Sequence, residues 1–132
     1  MIYYQDSSTT IEWDDLTGAV ISTRTGFVKG DPYRKPLDKA IELIKEKKAH
    51  KCFIDDRNAP VIDPVDLEWF STNWGPRAIA AGLRWMAVVM PSTLLAKMQI
   101  DRKTKAAPAP AGTEMRYFDH VDEAKTWLRS VR

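Results

Sequence analysis

The sequence predicts an α/β fold with a mixed β-sheet, in which an N-terminal antiparallel meander is followed by β/α units whose helices pack on the sheet. The first 28 residues contain short runs of β-forming residues separated by turn residues. Beyond residue 30, strand patterns alternate with helical patterns. The run at 84–90, RWMAVVM, lacks alternation in its centre, which is typical of a strand covered on both faces. A chain of 132 residues suits one domain, so we expect residues 1–132 to fold as a single domain.

The meander is predicted to contain three short strands, at residues 2–5, 10–13 and 19–25. The last two are joined by the segment DDLTG at 14–18, which has the Asp and Gly residues of a turn. Because side chains alternate between the two faces of a strand, we expect Ser22 and Arg24 on the same face.

The first helix is expected to start with Asp31 as N-cap and Pro32 as its first residue. Pro36 leaves this start open, because a proline beyond the first turn distorts a helix. A helical apolar pattern then continues to a predicted end between residues 47 and 50. Its members recur at three- and four-residue spacing: Leu37, Ala40, Ile41 and Ile44.

Strands and helices alternate in the rest of the chain. We expect a helix from Asp63-Pro64 that is interrupted at Gly75-Pro76, and a last helix capped by Asp119. The other predicted elements are strands at 51–55, 84–90 and 115–118, a short helix at 77–82 closed by glycine, a helix opening at Pro91-Ser92, and an exposed loop at 101–113. Strands 51–55 and 84–90 are expected to be parallel neighbours joined by a right-handed crossover.

A polar segment, Asp55-Asp56-Arg57, follows the apolar strand at 51–55. Ligands of open α/β sheets bind at the carboxyl ends of strands, and Ser92 follows the neighbouring strand, so these side chains are expected on one rim. As a binding site, Asp55 or Asp56 would hold a cation or a hydroxyl group and Arg57 an anion. In the alternative interpretation, the acids form local surface ion pairs with the arginine, which contribute only about 0–1 kcal/mol to stability.

Five tryptophans are many for a chain of this length. Trp69 and Trp74 lie about 140° apart around an α-helix, so at least one of them is expected at the periphery. A peripheral tryptophan close to Arg77 would be an anchor for a partner or ligand. Alternatively, the tryptophans fill the core, since each can bury ~150–250 Å².

The charge pattern indicates neither a nucleic acid nor an anionic membrane as partner, because 20 basic residues are interspersed with 18 acidic ones and the net charge is +2. The apolar stretches are far shorter than the ~20 residues that span a bilayer. The first residues lack the pattern of a secretory signal. We therefore expect a cytoplasmic protein without a membrane span.

Motifs for catalysis, cofactors and metals are missing from the sequence. His50 and His120 have no partner at metal-ligand spacing, and Cys52 lies in an apolar run where a thiol is mostly a small hydrophobe. A glycine-rich phosphate loop and a nucleophile elbow are both absent. The order of elements also argues against a phosphatase or receiver-type site at Asp55 or Asp56. We expect no cofactor, no metal and no enzymatic activity.

Several segments together are similar to the STAS/SpoIIAA-like superfamily of small bacterial proteins, whose relatives include Sec14-like domains. The resemblance spans roughly residues 10–131 and rests on Phe53-Ile54-Asp55-Asp56-Arg57, Trp69, Trp74, Pro76-Arg77, Gly82-Leu83, Ala87-Val88-Val89, Pro91-Ser92 and Glu123-Ala124-Lys125-Thr126-Trp127-Leu128. It implies a mixed sheet with helices and a role in regulation or small-ligand binding. Classical anti-sigma-factor antagonists of this superfamily carry a phospho-accepting serine in an Asp-x-Ser segment at a strand end. Residues 55–59 contain no serine or threonine, so the resemblance does not extend to that phosphoswitch.

The favoured hypothesis is therefore a non-enzymatic regulatory or protein-interaction module, expected to be a homodimer. Its recognition surface would be the strand-end rim together with the segment 74–77. The alternative is a small-molecule or lipid-binding domain whose pocket is lined by Trp69, Trp74 and Met90, with a small apolar or anionic ligand. An enzyme that uses Asp55 or Asp56 is the least favoured alternative.

Overall fold

The computed structural model describes residues 1–59, 62–89 and 113–131. Within these ranges one six-stranded sheet is formed by β1 (Ile2–Gln5), β2 (Thr9–Asp14), β3 (Ala19–Arg24), β4 (Lys51–Asp55), β5 (Trp85–Val89) and β6 (Glu114–Phe118). The strands follow one another across the sheet in chain order. Strands β1, β2 and β3 pair antiparallel, and β3 to β6 pair parallel. The predicted mixed sheet is thereby confirmed, and so is the parallel pairing of β4 with β5.

Some predictions fall outside the described residues. They are the helix opening at Pro91-Ser92, nearly all of the loop at 101–113, and the positions of Met90 and Ser92.

Helices cover both faces of the sheet. The described helical elements are α1 (Asp31–Lys47), α2 (Pro64–Trp69), a π-helical turn (Phe70–Trp74), α3 (Gly75–Ala81) and α4 (Val121–Ser130). Alternate residues of the strands point to the two faces: Cys52 and Ile54 join the core with α1, α2, the π-turn and α3, whereas Phe53 packs with α4. The described residues thus form two separate cores, one on each face of the sheet.

Helix α1 includes both of its early prolines. The helix begins at Asp31, so Asp31 is the first helical residue and not the predicted N-cap. Gly30 occupies the N-cap position, with a φ of 67° that favours glycine. Pro36 lies inside the helix and is buried. The buried apolar face of α1 stabilises the helix through tertiary packing and offsets the missing backbone hydrogen bond of this proline.

The predicted interruption at Gly75-Pro76 is wrong, because the chain stays helical from α2 to α3. Asp63 caps α2 as expected, with its carboxylate accepting a hydrogen bond of 2.9 Å from the backbone N–H of Val65. The widened π-turn follows, where the N–H of Gly75 donates to the carbonyl of Phe70 five residues earlier. At the far end of α3, Gly82 has φ 125°, which confirms the predicted glycine closure.

Helix α4 starts one residue later than its predicted cap implies. It begins at Val121, so that His120 and not Asp119 occupies the N-cap position. Asp122 still lies in the first turn, where an acidic side chain favours the helix dipole. Ala124 and Leu128 are fully buried against the sheet.

Candidate functional site

A cavity of about 90 Å³ lies between the sheet and the helices, near the carboxyl ends of the parallel strands. Its polar lining comes mainly from Thr9 of β2, Ser22 and Arg24 of β3, Asp56 after β4, and Tyr33 of α1. The apolar lining residues include Leu37, Ile54, Ile62, Leu67, Phe70 and Val88. One end of the cavity is thus polar, and the remaining walls are largely apolar.

Sheet register brings the polar residues together. Thr9 is the cross-strand partner of Arg24 in the antiparallel β2–β3 pair. In the parallel β3–β4 pair, Ser22 is aligned with Ile54, so Arg24 and Asp56 follow on the same face two residues later. The expectation that Ser22 and Arg24 share a face is confirmed, since both line the cavity.

Asp55 and Asp56 do not form one cluster, although they are adjacent in the chain. Asp56 lies on the face of Ile54 and lines the cavity, whereas strand alternation places Asp55 on the face of Phe53, towards α4. The predicted rim therefore divides between the two faces of the sheet.

Arg24 and Asp56 form a buried ion pair, with 3.6 Å between Nε of the arginine and Oδ1 of the aspartate. Arg24 is 4% exposed and Asp56 is 6% exposed. The guanidinium carbon also lies 5.6 Å from the ring centroid of Tyr33. Burial raises the pKa of Asp56 above its ordinary value, although the positive charge of Arg24 opposes this shift. Burial likewise raises the pKa of Tyr33.

Thr9 adds an unusual feature to the cavity. It is 5% exposed, and its hydroxyl group has no hydrogen-bond partner in the part of the chain that the structure describes. Most buried polar groups in proteins are hydrogen-bonded, because leaving one unpaired costs free energy. Sequence reasoning missed Thr9, Tyr33 and the Arg24–Asp56 pair. The only signal was the pair Ser22 and Arg24 on one face of a β-rich segment.

Asp55 forms the local pair that the alternative interpretation expected. Its two carboxylate oxygens accept hydrogen bonds of 3.0 and 2.9 Å from the guanidinium of Arg57, whose pKa is raised by this contact. The side chain of Arg57 is half exposed, but both aspartates of the segment are buried. The expectation of purely surface ion pairs is therefore wrong for Asp55 and Asp56, because the strand carries both into the protein interior.

Trp69 is half-buried, and charged side chains surround it. The guanidinium carbons of Arg34 and Arg77 lie 5.2 and 5.7 Å from the centroid of its ring system. Arg77 is fixed by a 2.7 Å bond to Asp38 and a 2.8 Å bond to the side chain of Asn73. We call these five residues, Arg34, Asp38, Trp69, Asn73 and Arg77, the Trp69 cluster.

Trp74 is a core residue, which corrects its predicted place on a recognition surface. It is 0% exposed, stacks on Phe70 at 4.8 Å, and donates a 2.7 Å hydrogen bond from Nε1 to the carbonyl of Leu37. Neither Trp69 nor Trp74 is among the described residues that line the cavity. The angular spacing predicted that at least one of the two tryptophans is peripheral, and Trp69 is the half-buried one.

Other chemistry is limited within residues 1–59, 62–89 and 113–131. They contain no group of three or more His, Cys, Asp or Glu side chains that could hold a metal ion. Burial raises the pKa of the Cys52 thiol to about 12, so this thiol is not a nucleophile at neutral pH. Of the described helices, none is long and apolar enough to cross a membrane.

Comparison with known proteins identifies the fold. No protein-family model matches the sequence, and no curated protein is significantly similar to it. Among solved structures, the chain resembles the crystal structure of an anti-sigma factor antagonist from Mycobacterium paratuberculosis, with a TM-score of 0.57 and 13% sequence identity over 93% of this chain and 94% of that one. This likeness bears out the predicted α/β fold with a mixed sheet, which the chain shares with that anti-sigma factor antagonist.

Proposed function

We propose that this chain is a non-enzymatic regulatory module of the STAS-like type, which acts in the cytoplasm by binding another protein through the Trp69 cluster. The observation that carries this proposal is a half-buried tryptophan held between charged groups on the surface of α1, α2 and α3. Tryptophan and arginine are the residue types that most often dominate the binding energy of protein interfaces.

The cluster is well ordered for recognition. Arg34 is bound at 3.0 Å to the buried carboxylate of Asp66, and Arg77 is bound to Asp38. The cluster therefore loses little side-chain freedom when a partner binds, and such preorganisation favours affinity. The side chains of Asp38 and Arg77 are 47% and 45% exposed, so both remain available to a partner.

The fold supports a regulatory role by likeness to a structure described as an anti-sigma factor antagonist. The proposed mechanism does not include phosphorylation at the end of β4, because residues 55–59 offer no hydroxyl group. A second copy of this chain is the simplest partner to test. Exposed Asp38 and Arg77 lie side by side, and around a twofold axis each can meet the opposite charge of the other copy.

Site-specific photo-crosslinking in the native host tests the proposal. A photoreactive residue would replace Glu68, which is exposed on α2 beside Trp69, or the matched Glu123, which is exposed on α4. We expect a protein adduct from position 68 and none from position 123, with the adduct mass distinguishing a second copy from another protein. Adducts from position 123 alone, equal adducts from both, or none from either would contradict the proposal.

A further inference from the structure

We propose that the cavity between the sheet and α1 binds a small uncharged molecule, with one hydrogen-bonding group on an apolar body smaller than a benzene ring. The hydrogen-bonding group would meet the polar end of the cavity, at Thr9, Ser22 and Arg24. This site goes beyond the proposed protein interaction and does not depend on the Trp69 cluster.

The position of the cavity is favourable for a ligand. It lies near the carboxyl ends of β3, β4 and β5, the part of an open α/β sheet where ligands bind. Tyr33 and Leu37 of α1 and Phe70 of the π-turn close it from the helical side. A bound molecule would therefore contact both layers of this half of the protein.

The charges around the cavity indicate an uncharged ligand. Among the described lining residues, Arg24 and Asp56 are the charged ones, and they already neutralise each other at 3.6 Å. A charged ligand would leave a net buried charge, which is costly unless it is paired. A neutral ligand leaves the net charge inside the cavity at zero.

The unpaired hydroxyl group of Thr9 indicates that the ligand carries a hydrogen-bonding group. This hydroxyl is buried in a residue that lines the cavity, and no described group bonds to it. A ligand hydroxyl or carbonyl group would provide the missing partner, which a purely apolar molecule cannot do.

The volume and the walls set the size of the apolar body. An enclosed apolar cavity of about 150 Å³ admits benzene, and this one measures about 90 Å³. Ile54, Leu67, Phe70 and Val88 supply apolar contacts along it. The apolar body is therefore smaller than benzene, such as a branched chain of about three carbon atoms, and a long lipid tail is excluded.

Titration of the intact protein with three probes, followed by amide chemical shifts, tests the site. 2-Propanol has the required hydroxyl group, 2-methylpropane has a methyl group in its place, and isobutyrate carries a charge. We expect saturable shifts with 2-propanol at residues 9, 22, 24, 54 and 56, 2-methylpropane binding weaker by about fivefold, and isobutyrate binding weaker still. A cavity that holds only water would give no saturable shifts with 2-propanol, and this result would overturn the inference.

Two matched variants on β2 test the role of the hydroxyl group. Thr9→Val removes the unpaired hydroxyl of a residue that lines the cavity, whereas Thr10→Val makes the same change at the next residue, which points to the other face. Thr9→Val is expected to keep the fold and to abolish the preference for 2-propanol over 2-methylpropane, while Thr10→Val keeps that preference. Equal preferences in both variants would refute the assigned polar end.

Discussion

The two faces of the sheet differ in chemistry. The face under α1, α2 and α3 contains a buried ion pair, an unpaired hydroxyl group and a cavity. The face under α4 is mainly an apolar core built around Phe53, Ala124 and Leu128, and its one described acid–arginine pair, Asp55 with Arg57, has a half-exposed arginine. An ion pair with both partners buried costs more free energy than apolar packing, so the Arg24–Asp56 pair on the other face is not explained by stability alone.

This difference separates folding from recognition. The α4 face has what a stable core needs, since apolar residues of the strands meet an amphipathic helix. The other face also has an apolar core. Polar groups are added to it near the carboxyl ends of the parallel strands, next to the Trp69 cluster on the helices. We infer that function is concentrated on the side of α1, α2 and α3.

The largest expected effect comes from the tryptophans that pack on the two faces. Trp74→Ala removes a fully buried ring and should cost about 3–5 kcal/mol of unfolding free energy. Trp127→Ala on α4 should cost less, because Trp127 is only partly buried. Chemical denaturation measures both values. Equal losses would show that the two cores depend equally on their tryptophans.

The buried ion pair should give the next largest effect. Arg24→Met leaves the Asp56 carboxylate buried without the cation 3.6 Å away, and should cost about 3 kcal/mol at neutral pH. Adding Asp56→Leu should restore most of the loss, because the buried charge is then removed. A double variant no more stable than Arg24→Met would contradict a role for Asp56 in this loss.

The same pair predicts a pH dependence. The pKa of Asp56 is raised in the fold, so the folded chain keeps this proton to a higher pH than the unfolded chain does. Protonation of Asp56 therefore increases the free energy of unfolding as the pH falls from neutral through its raised pKa. This increase reaches its full size below the ordinary pKa of an aspartate. The Arg24→Met variant should gain more from acidification than the wild type, because Arg24 opposes the shift. Denaturation between pH 4 and 7 measures this difference.

The fold was predictable because it follows from local patterns. The apolar runs that became β4 and β5 and the amphipathic repeat of α1 can be read from the chain directly. The pairing of Arg24 with Asp56 could not be predicted, because it depends on the register between β3 and β4. The burial of Trp74 was left open, because the helical spacing places one of Trp69 and Trp74 at the periphery but does not say which.

The smallest effect on stability is expected from the second acid–arginine pair. Arg57→Ala removes a half-exposed partner of Asp55 and should cost no more than about 1 kcal/mol. Asp55 keeps a 3.2 Å hydrogen bond from the backbone N–H of residue 57. A loss as large as that of Arg24→Met would show that the two adjacent acids are equally important to the fold.

Two surface arginines allow the most direct test of recognition by the α1, α2 and α3 side. Arg77 and Arg116 are similarly exposed, each is paired with a carboxylate, and each lies over a tryptophan at 5.7 and 5.2 Å, respectively. Both alanine substitutions should change stability by less than about 1 kcal/mol. The decisive measurement is the crosslinking yield from position 68 in each background. It should fall several-fold in Arg77→Ala and stay unchanged in Arg116→Ala, whereas an unchanged yield in Arg77→Ala, or equal losses in both, would contradict the account.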